Sequence, residues 1–178
     1  MQQPSIGSAD ELAAQRGTYG RALAATAKWF AYGGGLVFVG LVAMSIVSIV
    51  GRKLVGIPVP GDVEVLQMLA AVASASFFAQ CHLHHGDVKV DFFTAWLSRE
   101  GRGFLDTVGS SLVGVVGALL AWRTLAGAIS LREAGEVSAI LGWPVWLAQL
   151  SMVPSFALLA LAGFYMAQQY WAQRKGRT

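Results

Sequence analysis

The side chains best equipped for chemistry crowd into one run, Cys81-His-Leu-His-His-Gly-Asp87. Imidazoles, a thiol and a carboxylate so close together form a donor set that could hold a transition metal. Their arrangement argues against it. His84 and His85 are adjacent and point apart on any helix, and all three histidines, His82 included, sit at one helix end. A haem in a membrane anchor would need an axial ligand from another span, and no other segment carries a histidine. The run therefore reads as an interfacial cluster facing phosphate or a partner, with no cofactor. A membrane anchor of a redox complex, with a His-ligated cofactor, is the competing reading.

Glu64 is the second candidate. It sits with Gln67 at the start of a long apolar run, and a carboxylate at membrane depth is a functional hypothesis by default. So close to the run's edge it would also complement the helix dipole, or pair with Arg52 or Lys53, or meet a partner subunit. Asp106 and Arg123 bracket the third apolar run in the same manner. No nucleophile–base pair, glycine-rich phosphate loop or ATP-binding motif is present, so the chain does not read as an enzyme.

The elements that must position these residues are four apolar runs, 29–50, 63–81, 104–122 and 145–166. A hydrocarbon core about 30 Å thick takes about 20 residues of helix to cross, so each run is close to bilayer length. Charged residues make up 13% of the chain, against about 25% in a soluble domain. Leu36–Val50 and Val108–Trp122 are apolar on every side, whereas helices of a soluble bundle carry a polar face. The fold class is therefore all-α: a polytopic membrane protein with four transmembrane helices. A net charge of +3 does not imply nucleic acid, because Lys28, Arg52, Lys53, Arg174, Lys175 and Arg177 flank the spans rather than forming a basic surface. The single Cys81 excludes an internal disulfide.

Residues 1–28 read as a polar tail, 29–172 as the membrane domain and 173–178 as a second tail. The first run is too long for a signal-peptide core and reads as an uncleaved span. Arg16, Arg21, Lys28, Lys89, Arg99, Arg102 and the three C-terminal basic residues lie on one side, against Arg52, Lys53, Arg123 and Arg132 on the other. The positive-inside rule then places both termini and the middle loop in the cytoplasm. Asp62 is the expected N-cap of the second span, Pro154 is expected to kink the fourth, and Trp143 and Trp146 mark its outer interface.

Two further patterns predict packing. Ser110, Gly114 and Ala118 recur every four residues along the third span, a small-residue face that lets helices approach closely in lipid. In 88–98, Val88, Phe92, Phe93, Trp96 and Leu97 share one helical face opposite Asp91, Thr94 and Ser98, the pattern of an amphipathic helix lying in the membrane interface. Solute-binding transporters usually carry broken helices and internal repeats at the midplane; four plain spans favour an accessory subunit.

Several of these segments, taken in order, resemble one family. Gly61-Asp-Val-Glu64, a small-residue span ending Ala79-Gln80, and then His85-Gly-Asp-Val-Lys-Val-Asp91 are similar to the small membrane subunit of tripartite ATP-independent periplasmic (TRAP) transporters. In that family a glutamate opens the second span, which leads into a Gly-His turn ending Val-Asp. Gly135-Glu-Val-Ser138-Ala-Ile-Leu-Gly-Trp-Pro144-Val-Trp146 resembles the family's approach to its fourth span, and Pro154 matches a proline usual within it. Asp87 stands where the family commonly has histidine, while Gly86, Val90 and Asp91 keep register. Gly86 suits a sharp exit from the second span.

The resemblance implies a non-catalytic subunit that scaffolds a large membrane transport subunit and helps a periplasmic solute-binding protein dock. It also implies import of an organic acid, coupled to sodium, across a bacterial inner membrane. Glu64, Gly86, Asp91, Ser138 and Pro144 are the expected structural or interaction positions.

Overall fold

The computed structural model describes residues 18–54, 56, 59–84 and 99–175. Among them are four helices: α1 (Thr18–Leu54), α2 (Asp62–Leu83), α3 (Arg99–Glu133) and α4 (Val145–Lys175). All four are long and apolar enough to cross a membrane, and the described residues form no strand beyond an isolated bridge between Val137 and Pro144. Helices are the expected solution, since lipid offers no partner to an unpaired backbone group. The expected interfacial helix, with Val88, Phe92, Phe93, Trp96 and Leu97, lies outside the described residues, as do His85, Gly86 and Asp91.

Two helices outrun their apolar cores. α1 has 37 residues, about 55 Å at 1.5 Å per residue, and begins well before Trp29. α3 runs on past Trp122 to Glu133, absorbing what reads in sequence as loop. Hydropathy marks where hydrocarbon ends, whereas the helix goes on until a backbone break stops it. For α3 that break is Gly135, at φ +64°. The Glu136 amide donates to the Leu131 carbonyl (3.1 Å) and the Gly135 amide to Arg132 (3.2 Å), the paired bonds of a Schellman stop. α4 passes through Pro154 without interruption.

The helices touch in the order α1, α2, α4, α3. α1 runs antiparallel to α2, α4 lies parallel to α2, and α3 returns along the other side of α4. Near the end where the chain termini emerge, Leu23 and Ala27 of α1, Ala79 and Leu83 of α2, and Ala162, Tyr165 and Met166 of α4 close a small core. Only 17–28% of each span's most apolar window is buried within the protein. Most of the apolar surface must therefore meet lipid or another subunit.

Close approach is made by small residues. A side chain at Gly163 of α4 would lie 2.6 Å from the Gly114 Cα of α3, and one at Gly117 of α3 would lie 2.7 Å from the Ala160 nitrogen of α4. Ser110 is buried beside this contact and Ala118 is exposed. The contact line thus runs Ser110, Gly114, Gly117, because a 3.6-residue helix turns a strict four-residue repeat off a straight neighbour. Between α1 and α2, Gly34 faces Ala73 and Ser76, and Phe38 stacks on Phe77 at 5.9 Å.

Gly34→Ala places its methyl 2.9 Å from the Ala73 carbonyl and is expected to cost about 1–3 kcal/mol. Gly33→Ala, with nothing within 4 Å, is expected to be neutral or stabilising by up to about 1 kcal/mol. Thermal unfolding of the two purified variants in detergent checks the contrast.

Candidate functional site

At the end opposite the termini, two segments converge on the start of α2. The first is the close of α1. Ser48, buried there, donates its hydroxyl to the Asp62 carboxylate and accepts the Val59 amide at 3.3 Å. Arg52 lies 3.5 Å from the same carboxylate. The expected partner of Arg52 is therefore corrected: it is Asp62, not Glu64. The N-cap shifts as well. Gly61, at φ +72°, takes the cap position, and Asp62 becomes the first helical residue.

The second segment is the loop between α3 and α4, and its own bonds make it stiff. The Ser138 amide donates to the Trp143 carbonyl (2.8 Å), the Gly142 amide to Ser138 (3.1 Å), and the Val145 amide to Glu136 (3.3 Å). The Ser138 hydroxyl accepts the Trp143 amide at 3.3 Å, and Gly142 turns the chain at φ +64°. This folding leaves the amides of residues 139–141 aimed outward as a set.

Glu64 fills that set. Its two carboxylate oxygens accept the Ile140 amide at 2.9 Å and the Leu141 amide at 3.2 Å, with the Ser138 hydroxyl and Ala139 amide facing the same group. Successive backbone amides bent round one anion form a nest, a favourable site for a carboxylate. Beside it, the space a side chain would need at Gly61 is taken by Leu141, 2.6 Å away. Glu64 and Ser138 are thus brought together across the sequence, and Pro144 closes the loop's bridge to Val137.

Below this latch, Val65, Met68, Leu69 and Val72 of α2 and Leu147 and Ala148 of α4 line an apolar cleft of about 400 Å³. Arg132 covers the Trp146 ring at 5.4 Å, so the end of α3 is tied to the start of α4. What sequence reasoning missed is the amide pair of Ile140 and Leu141; a backbone donor carries no residue signature. The available signal was positional, since Glu64 opens the second span and Ser138 lies in the loop that leads into the fourth.

At the other end of α2, His82 is buried while Cys81 and His84 are exposed. Among the described residues no three His, Cys, Asp or Glu side chains gather as a metal site would require. The site is a latch built of one carboxylate and a loop.

Gly61→Ala tests the latch from the backbone side. Holding alanine in the left-handed region costs about 1–2 kcal/mol, and its methyl would displace Leu141. The expected outcome is a lower unfolding temperature with the helix content of the folded chain unchanged, read by circular dichroism in detergent.

A family model described as "Tripartite ATP-independent periplasmic transporters, DctQ component" matches residues 20–173. No curated protein and no solved structure gives a match.

Proposed function

We propose, for a chain that belongs to the DctQ component family of TRAP transporters, a scaffolding role in a solute importer. The family is one of transporter components, and this chain is a small, multi-pass membrane member of it. The observation that carries the reading is the family match along nearly the whole chain. The architecture supports it: four spans that bury little of their surface in one another suit a protein completed by a partner.

In this reading the chain sits in a bacterial inner membrane with both termini in the cytoplasm and the Glu64 latch on the periplasmic side. Its spans enlarge and steady the large membrane subunit that carries the solute. The loop held by Glu64, Ser138 and Pro144 gives the periplasmic solute-binding protein a firm surface, which a loose loop would not. The solute is an organic acid and the driving ion sodium, both by family resemblance.

The test is expression of the chain beside the large subunit and the solute-binding protein, followed by co-purification and uptake in proteoliposomes. Stable co-purification and uptake that disappears when this chain is omitted are the expected results. Uptake that proceeds unchanged without it, or solute flux through this chain alone, overturns the scaffold.

A further inference from the structure

In sequence Arg123 closes the third apolar run; in the structure it lies well inside a helix. α3 continues ten residues past it to Glu133, and Thr124–Leu131 carries no charge. The antiparallel pairing with α4 fixes its depth. Gly114 meets Gly163, Gly117 meets Ala160, Gly127 faces Gln149 and Arg132 covers Trp146, a register that sets Arg123 level with Pro154. Pro154 stands nine residues from Val145 and twelve from Met166, the ends of the fourth apolar run. Those are about 14 Å and 18 Å along the helix, near the middle of a hydrocarbon core about 30 Å thick. The Arg123 side chain is exposed on the side of α3 turned away from α4, between Leu119 and Ala126.

An arginine cannot shed its charge in a protein, and a charge at mid-bilayer depth is costly unless it is paired. Arg123 has no hydrogen bond or ion pair among the described residues. Snorkelling serves a cation near a helix end; here either headgroup layer lies farther off than the side chain is long. A second copy of this chain cannot supply the counter-ion, because 29–50, 65–83, 107–132 and 137–178 hold no Asp or Glu. The missing partner is therefore an anion at hydrocarbon depth on another protein, and the guanidinium fork matches a carboxylate in bidentate fashion.

We propose that the Arg123 face of α3 docks against a membrane helix of the large subunit, and that an Asp or Glu within that helix pairs with the guanidinium. The inference rests on the scaffold reading above and adds the contact by which the scaffold is attached.

The experiment uses the complex of this chain with the large subunit, purified together and returned to nanodiscs. Arg123→Leu lowers co-purification by about tenfold, since it leaves the partner carboxylate buried without its cation. Arg123→Glu lowers it further, and Arg123→Lys recovers part of the loss. Thermal unfolding of each variant chain alone in detergent stays at the native value, because the side chain packs on nothing within the chain. An Asp or Glu changed to Arg in one large-subunit helix restores the Arg123→Glu complex and identifies the partner. Native co-purification of both Arg123→Leu and Arg123→Glu overturns the proposal and leaves the scaffold standing. Within that outcome, loss of a tightly held phospholipid assigns Arg123 to lipid, and a raised KM for uptake assigns it to the solute. Failure of the unaltered chain to co-purify removes the proposal and the scaffold together.

Discussion

Gly163→Ala is expected to push α3 away from α4 and to destabilise the folded chain by about 1–3 kcal/mol. The added methyl would sit 2.6 Å from the Gly114 Cα and 2.9 Å from the Ser110 carbonyl. Both obstacles are backbone, so no side-chain rotation relieves them; one helix must move. Among the described residues α3 packs almost wholly against α4. Within lipid no hydrophobic force restores the contact, and close van der Waals approach is what holds the pair. Gly114→Ala should cost less, since its methyl meets the Phe164 ring at 3.0 Å, a side chain with room to yield. Gly109→Ala, with nothing within 4 Å, is the control. Thermal unfolding of the three variants in detergent should rank them in that order, and equal stability at 163 and 109 would contradict the packing described.

Glu64→Ala is expected to release the loop between α3 and α4 while leaving the four helices formed. Two backbone amides and the Ser138 hydroxyl lose their shared acceptor. Hydrogen exchange at Ile140 and Leu141 should quicken strongly, with little change at residues within α3 and α4. Glu64→Gln keeps one carbonyl acceptor and gives up the charge, so it should fall between alanine and the native chain. In the assembled transporter, loss of uptake with the membrane subunits still co-purifying would assign the latch to docking of the solute-binding protein. Undiminished uptake with a freed loop would remove that role.

Much of this protein was legible in the chain of residues. The apolar runs around Leu36–Val50 and Val108–Trp122 admit no soluble fold, and the flanking basic residues mark them as spans. The order of motifs from Gly61 to Trp146 carried the family resemblance, and the DctQ match covers the same stretch. Helix ends were less legible. α1 and α3 pass well beyond their hydrophobic cores, since polar residues at a membrane surface extend a helix as readily as they end it. Asp62 had the chemistry of a cap, yet Gly61 holds that position because only glycine accepts the turn and leaves room for Leu141.

The contacts divide along the same line. Ser110 and Gly114 signal a packing face, but that Gly117 and not Ala118 continues it depends on where α4 lies. Glu64 and Ser138 each stood out by type and place; that they meet, through the amides of residues 139–141, depends on a loop folded on itself. The sequence by itself determined that there are four spans, for the bilayer reads the hydropathy of each segment independently of its neighbours. Tertiary structure alone decided which spans touch. In lipid one apolar face is as good as another, and shape together with a few hydrogen bonds makes the choice.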